Sequence, residues 1–359
     1  MMNNLTMKIN HFKKGREIEK NKEIVEFTCT TNKCTFQIIK INKKIYFKKV
    51  LSNNIQNEIK GYDVIKGCYI IPKRISFCKD WVIYEYKNTL SCKTLHDIFY
   101  KKNKIFKKYD IIYLQYKKNL NYKKYIDEND SRNSDFFKGR THMLECLLNN
   151  NLIPKEIKYE SNKYDLRKII RETINNINKN KKVLSFVSQG DPTDTNISIN
   201  GIFTDFENAG YNSIIGEISI AFASFITHGQ YFYPKYHESA YKLRPYILNE
   251  FEVYKPCIKY WKNEINCLKH KIQKNSLNYF KEYLNIFIKK LSEDEIMQLN
   301  EYIKYYLIMR MLTPIDIYKM ELDDQYIIFG YIIEIYIKIN KLEDLKKFLY
   351  SDSIEVIGL

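Results

Sequence analysis

The stretch Ser188–Glu207, SQGDPTDTNISINGIFTDFE, decides how the chain is read. Four acidic residues, two glycines and a proline gather there, in a chain with 59 Lys and Arg against 42 Asp and Glu. Asn200-Gly201 is the strongest two-residue signal for a type I′ turn, so ISI and IFT on either side of it read as a hairpin. A two-residue turn sets Ile199 against Ile202, Ser198 against Phe203 and Ile197 against Thr204. The next pair out is Asn196 opposite Asp205. Directly opposed residues hold their Cβ atoms about 4.5–5.5 Å apart, so an amide oxygen and a carboxylate converge at the open end. Hard oxygen donors so placed suit Mg²⁺, which takes one or two carboxylates and leaves positions for phosphate oxygens.

Asp191 lies five residues before Asn196, on the loop that feeds the hairpin, and Pro192 stiffens that loop. One segment therefore offers a carboxylate beside a two-ligand metal site. Phosphoryl transfer needs that combination: a metal neutralises the phosphates while a nearby Asp positions and deprotonates the attacking hydroxyl. Asp194 and Glu207 read as turn residues, favoured there for local reasons.

Working outward, residues 23–50 are rich in β-branched and aromatic side chains. EIVEFTC, CTFQIIKIN and KKIYFKKV read as three strands separated by TTNK and NKK. NNIQNEIKGYDVIKG follows with helical spacing at Ile55, Ile59, Tyr62 and Ile65, ending at Gly67. YIIPKRISFC and DWVIYEY read as two more strands. The first part is thus β-β-β-α-β-β. From about residue 95 the pattern turns helical and stays mostly so, with Thr94 a candidate N-cap. The fold class expected is α+β in two lobes. A small antiparallel-sheet lobe with one helix spans residues 1–86, and a larger, mainly helical lobe spans 87–359. No internal repeat is visible.

The motif GDPTDTNI…IFTDFE resembles the catalytic loop and metal motif of the aminoglycoside phosphotransferase and choline kinase-like families, which have the protein-kinase-like fold. Gly190, Asp191, Asn196, Asp205, Phe206 and Glu207 match residue by residue. Gln189 stands where those families have His, a residue that supports the loop. The resemblance spans about residues 24–225. It implies Asp191 as catalytic base and Asn196 and Asp205 as Mg²⁺ ligands. It implies a third-strand Lys paired to Glu58 at the nucleotide phosphates. Lys48 is preferred from the pattern Tyr46-Phe47-Lys48, and strand alternation leaves Lys49 open. The backbone near Glu85 and Tyr86 would meet adenine at the hinge, and CTTNKC would lie over the phosphates.

The implied activity is transfer of the γ-phosphate of ATP to a hydroxyl of a small molecule, with Mg²⁺ as cofactor. Sugars, amino alcohols and aminoglycoside-like compounds are the acceptors in view. The helical lobe is not notably acidic, which counts against aminoglycosides. THGQYFYPKYHESAY is a candidate acceptor lining, with His228 and His237 expected more at the surface or core rim. A protein kinase is the alternative within the fold, but the Gly-rich loop and an A-P-E segment are missing from the text. A non-catalytic nucleotide-binding adaptor is the other alternative, with Gln189 its best support.

Composition narrows the field. The hydrophobic share of 45% and charged share of 28% describe a chain that buries a core rather than a disordered one. The net charge of +17 is spread along the whole chain with Asn, Ile and Tyr, so no nucleic-acid partner is expected. None of the eight Cys forms a C-x-x-C pair, and MMNNLTMKINHFKKGREIEK has no apolar signal core. Free thiols and a cytoplasmic location are the expectation. YIIFGYIIEIYIKI, residues 326–339, is too short and too charged for a membrane span, which needs about 20 apolar residues. It reads as a buried helix.

Overall fold

A computed structural model of the chain describes residues 24–30, 34–51, 55–86, 94–99, 109–132, 134–150, 153–241 and 245–357. The first five strands are β1 (Ile24–Thr30), β2 (Cys34–Ile41), β3 (Lys44–Leu51), β4 (Arg74–Phe77) and β5 (Trp81–Glu85). They form one antiparallel sheet in the order β1-β2-β3-β5-β4. Helix α1 (Ile55–Ile65) comes between β3 and β4, which is the β-β-β-α-β-β order read from the text. The β2–β3 turn is Asn42-Lys43, both with positive φ, which is the conformation a two-residue hairpin demands. The strand expected across YIIPKRISFC is shorter than its text, starting only at Arg74. Pro72, which has no N–H to give a ladder, accounts for the late start.

Alternation along β3 sorts its side chains onto two faces. Phe47, Lys49 and Leu51 are buried toward α1, and Phe47 and Leu51 join the main core there. Tyr46 and Val50 turn the other way, against a small second core of Ile39, Ile41, Trp81 and Ile83.

The remainder is built on helices, with two further sheets. Its first half holds α2 (Leu95–Phe99), α3 (Asp110–Leu120), β6 (Lys124–Asp127), α4 (Ser134–Asn149), β7 (Glu156–Tyr159), β8 (Asn162–Asp165) and α5 (Leu166–Lys179). Then come β9 (Lys182–Ser188), β10 (Gly210–Ser213) and α6 (Ile214–Phe222). Strands β10-β9-β6 make a three-stranded sheet, and the loop leaving β9 carries the acidic motif. Farther on are β11 (Cys257–Trp261), β12 (Glu264–Gln273), α7 (Lys274–Lys290), α8 (Glu293–Leu312), α9 (Leu322–Lys338), α10 (Leu342–Phe348) and β13 (Ile354–Ile357). β11, β12, β7 and β8 form a third sheet, with β13 parallel to β12.

These strands correct the expectation of an almost wholly helical second part. β7 and β8 are four-residue polar segments, too short to show a period. Their turn is Glu160-Ser161, which reaches positive φ without the Asn-Gly or Asp-Gly signature. The stretch 326–339 is α9 with its exit, buried as read. Its Glu334 accepts from Tyr159 at 2.8 Å and pairs with His270 at 2.5 Å and with Lys338. No helix among the described residues is long and apolar enough to cross a membrane. Cys34, Cys68, Cys78, Cys146, Cys257 and Cys267 are free thiols.

Candidate active site

The inner face of β3 supplies a buried cation. Lys49 is 3% exposed, and its Nζ lies 2.9 Å from Glu58 Oε2 and 2.7 Å from Asp205 Oδ1. Glu58 projects from α1. Its Oε1 accepts from the Tyr84 hydroxyl at 2.7 Å, and its Oε2 also accepts the Phe206 N–H at 3.1 Å. Burial by itself would lower the Lys49 pKa. The Asp205 and Glu58 carboxylates more than offset it and hold the ammonium above the ordinary lysine value.

The preference for Lys48 is therefore corrected. Lys48 lies on the opposite face of β3, with its Nζ 5.3 Å over the Trp81 ring. Strand alternation puts Phe47 and Lys49, not Phe47 and Lys48, on the face that meets α1. The pattern Tyr46-Phe47-Lys48 points one residue short of the lysine that pairs with Glu58.

The hairpin register is also corrected. Ile197 bridges Phe203 rather than Thr204. Ser198 N–H donates to the Ile202 carbonyl at 2.9 Å and Thr204 N–H to the Asn196 carbonyl at 3.0 Å. The loop is three residues, Ile199 to Gly201, with Gly201 at φ +73. The Ser198 hydroxyl accepts the Ile202 N–H at 3.0 Å, and Gln115 of α3 donates to the Gly201 carbonyl at 2.9 Å, which holds this wider loop. Asn196 thus faces Thr204. Asp205 still joins Asn196 on one pocket wall. Its φ of +63 turns the chain there, in a left-handed conformation that Asp tolerates better than most residues.

Gln189 ties the two ends of the motif together. Its Nε2 donates to the Thr204 carbonyl at 2.9 Å and to the Asp205 carbonyl, while its Oε1 accepts the Asp191 N–H at 2.9 Å. Gly190 has φ +85, and a Cβ on it would sit 2.2 Å from the Asn208 carbonyl oxygen, so no side chain fits there. Asp194 is buried and bonded to His96 of α2, and the Ser224 hydroxyl donates to it at 3.2 Å. Leu95 and His96 donate their N–H groups to the Ile197 and Asp194 carbonyls. Asp194 is therefore a brace for the loop, which its reading as a turn residue missed. Glu207 presents its backbone carbonyl to Arg132 at 3.2 Å.

Asp191, Asn196 and Asp205 line one pocket of about 330 Å³, with Arg140, Arg310 and Tyr233 among the other lining residues. Asn196 Nδ2 donates to the Asp191 carbonyl at 3.1 Å and to Asp191 Oδ2 at 3.0 Å. That turns the Asn196 amide oxygen into the atom available to a cation. Among the described residues no three His, Cys, Asp or Glu side chains cluster as a metal site. One carboxylate and one amide oxygen remain, a donor set that fits Mg²⁺ sharing its coordination with phosphate and water.

His237 and Tyr241, from the segment read as acceptor lining, also border this pocket. His228 does not border it. It is buried, and burial, followed by the charge of Arg310, lowers its pKa to about 3. Glu85 closes β5 opposite Tyr46, and its N–H is taken by the Lys73 carbonyl at 2.9 Å. Any adenine contact from Glu85 and Tyr86 must use their other backbone groups. Residues 31–33 of CTTNKC and residues 87–93 beyond the hinge lie outside the described residues. Tyr84, Arg140 and Arg310 were not singled out from sequence. Tyr84 is distinguished there only by sharing the inner face of β5 with Val82.

No family model matches the chain, and no curated protein matches it. Several solved structures are similar at low identity. Plasmodium vivax ethanolamine kinase has 14% identity and a TM-score of 0.44, covering 82% of this chain and 75% of that one. A thermostable mutant of aminoglycoside phosphotransferase APH(4)-Ia, in a ternary complex with AMP-PNP and hygromycin B, has 10% identity and a TM-score of 0.47, covering 94% and 97%. Choline kinase LicA from Streptococcus pneumoniae has 11% identity and a TM-score of 0.41, covering 92% and 98%. In the order of its strands and helix, and in the residues gathered around Lys49 and Asp191, this chain resembles the aminoglycoside phosphotransferase and choline kinase-like group.

Proposed function

We propose that the protein is an ATP- and Mg²⁺-dependent phosphotransferase that moves the γ-phosphate to a hydroxyl of a small molecule. One observation carries this reading. Asp205 lines one pocket with Asp191 and Asn196 and is itself ion-paired to Lys49, which Glu58 also holds, although Lys49 and Glu58 lie more than 130 residues before that pocket segment in sequence. A solvated strand lysine in a lysine-rich chain would have no reason to be buried between two carboxylates. Burying such a charge is costly unless partners hold it.

In this reading Lys49 binds the nucleotide phosphates and Glu58 orients it, with Tyr84 and the Phe206 N–H fixing Glu58 in turn. Asn196 Oδ1 and Asp205 would hold Mg²⁺, which supplies charge neutralisation to the phosphate oxygens. Asp191 accepts the proton of the acceptor hydroxyl as that oxygen bonds to the γ-phosphorus. The bond from the γ-phosphorus to the bridging oxygen breaks, and ADP leaves with that electron pair. Asn196 Nδ2, bonded to Asp191 Oδ2, keeps the carboxylate aimed into the pocket.

Replacing Asp191 with Ala is expected to abolish phosphate transfer, read as acceptor-dependent ADP release. The rise in melting temperature on adding Mg-AMP-PNP should survive, because a ligand that binds only the native state stabilises it. Transfer retained in Asp191→Ala would remove Asp191 as the base. Absence of any nucleotide response in the wild type would strike the phosphotransferase reading and the nucleotide-binding adaptor alike, leaving a degenerate fold without either activity.

A further inference from the structure

A carboxyl lies behind the loop that carries Asp191. Glu217 sits on α6 and is fully buried. Its Oε1 accepts from the Ser188 hydroxyl at 2.5 Å, and the Gly190 N–H is a second donor to the group. Ser188 ends β9 and Gly190 precedes Asp191, so one carboxyl grips the turn on both sides of Gln189. Asn212 Nδ2 donates to the same Ser188 oxygen at 3.0 Å. Glu217 Oε2 has no hydrogen-bond partner. Among the described residues no cation acts on this carboxyl. The titratable groups around it are the buried Tyr69 before β4, Tyr116 on α3, Tyr279 and Tyr283 on α7, and Asp191 itself. Strand β10 and helix α8, which also pack on α6, add no charge to it. A buried carboxylate without a cation is costly, and a second negative charge on Asp191 makes it costlier. Burial pushes the Glu217 pKa up to about 8, with the Ser188 hydroxyl pulling down, the Asp191 charge pushing up and the Gly190 N–H pulling down. At neutral pH the group is a carboxylic acid.

We propose that Glu217 is a positioning residue that holds the Asp191 turn as a neutral carboxylic acid, and that loss of its proton turns phosphate transfer down. This rests on the phosphotransferase reading and adds a regulation of the same site. In the neutral form Oε1 takes the Ser188 and Gly190 donors while the proton stays on the unpartnered Oε2. When hydroxide or buffer base removes that proton, a carboxylate appears behind the Asp191 carboxylate with no cation to hold it. The two charges repel. Water drawn to the new charge competes for the Ser188 and Gly190 donors, and the turn that aims Asp191 loosens. The folded value lies above the ordinary carboxyl value, so the clamp is whole at lower pH and is lost as pH rises through about 8.

The test follows the Gly190 amide directly. Gln189-Gly190 is the only Gln-Gly step in the sequence, so carbonyl-labelled glutamine with nitrogen-labelled glycine picks that amide out of 11 glycines in the full chain. Its resonance should titrate with a midpoint near pH 8 in the wild type. Its protection from hydrogen exchange, corrected for the intrinsic pH dependence, should fall about tenfold from pH 7 to pH 9, as the neutral form does. Gly330 on α9 should stay level. In Glu217→Gln, which keeps an uncharged acceptor at every pH, the Gly190 curves should be flat. In Glu217→Ala the protection should be low at every pH, with a retained Mg-AMP-PNP melting shift as proof of folding. ADP release from Mg-ATP, with water as the acceptor, should fall about tenfold over the same range in the wild type and hold level in Glu217→Gln. A Gly190 amide that does not titrate, a titration that survives in Glu217→Gln, or a loss of protection shared by Gly330 overturns the inference. So does the same alkaline fall in ADP release for wild type and Glu217→Gln. A chain that answers no nucleotide and releases no ADP strikes the phosphotransferase reading instead, and the Gly190 titration still decides the clamp.

Discussion

Lys49→Met and Lys48→Met test the two faces of β3 against each other. Methionine keeps most of the apolar length of lysine and removes the charge. At Lys49 the change leaves Glu58 and Asp205 without the cation they share. Breaking a buried pair by removing one partner costs about 3–5 kcal/mol. Two features place this case at the lower end. The Asp205 side chain is 33% exposed and can be solvated, and Glu58 keeps the Tyr84 hydroxyl and the Phe206 N–H. A loss of about 3 kcal/mol follows. At Lys48 the change removes a cation held over the Trp81 ring, a contact worth about 0.5–1 kcal/mol near the surface. Urea unfolding at pH 7 measures both, with unchanged m-values showing that the native state is otherwise intact. The Mg-AMP-PNP melting shift, read on the same variants, should persist in Lys48→Met and vanish in Lys49→Met. Equal stability losses, or a nucleotide response lost in Lys48→Met and kept in Lys49→Met, would refute both the assignment and the alternation argument beneath it.

Two further outcomes concern the support of the loop. Glu217 on α6 is fully buried, and burial pushes its carboxyl pKa up to about 8, while the Ser188 hydroxyl at 2.5 Å pulls the other way. The folded state therefore keeps a proton that the unfolded chain releases above about pH 4.5, and stability falls as pH rises from about 4.5 to 8. Glu217→Gln mimics the protonated carboxyl, so it should gain roughly 3 kcal/mol over wild type at pH 7 and lose that advantage toward pH 4.5; parallel pH profiles of the urea midpoints would contradict this. Gln189→Ala should cost about 1–3 kcal/mol by leaving buried backbone groups unsatisfied. Gln189→Glu should fare no better, because it cannot donate to the Thr204 and Asp205 carbonyls, and a Glu variant as stable as wild type would show that the donated bonds carry nothing.

The acidic segment was legible because its chemistry is local. Asp191, Asn196 and Asp205 fall within 15 residues, and turn chemistry alone placed them near one another. The β-β-β-α-β-β order was legible for a similar reason, since each element carries its own period. What failed was single-residue register. Lys48 against Lys49, and Ile197 facing Thr204 or Phe203, differ by one position, and nothing within the local text distinguishes them. The choice is made by distant partners: α1 and Asp205 for Lys49, and Gln115 for the Gly201 loop. Arg140 and Arg310 were not legible at all. They lie on helices 170 residues apart, and an arginine on an amphipathic helix is ordinarily a solvated one. The polar hairpin β7–β8 escaped because four-residue strands show too little alternation to be told from loop.

The substitution at Gln189 has a structural rationale that bears on whether the site can be active. Holding this loop requires one group that accepts from the Asp191 N–H and donates toward the Asp205 backbone. A neutral imidazole offers one acceptor and one donor. A primary amide offers the same pair with a second donor hydrogen, and here Gln189 uses both ends at once. The exchange therefore preserves the link between the Asp191 loop and the Asp205 segment instead of severing it. A second link runs through α1. Gly61 leaves no room for a Cβ, which would meet the Phe206 carbonyl oxygen at 1.8 Å, and so α1 presses directly on the backbone after Asp205. Glu58, one turn earlier, takes the Phe206 N–H from the same segment. Lys49, Asp191 and Asp205 are thus set by a continuous chain of buried contacts from β3 through α1 to the loop after β9. Such a chain costs free energy at every charged step. The proposed phosphotransferase reading accounts for that cost by giving Lys49, Asp191 and Asp205 each a role around one transferred phosphate.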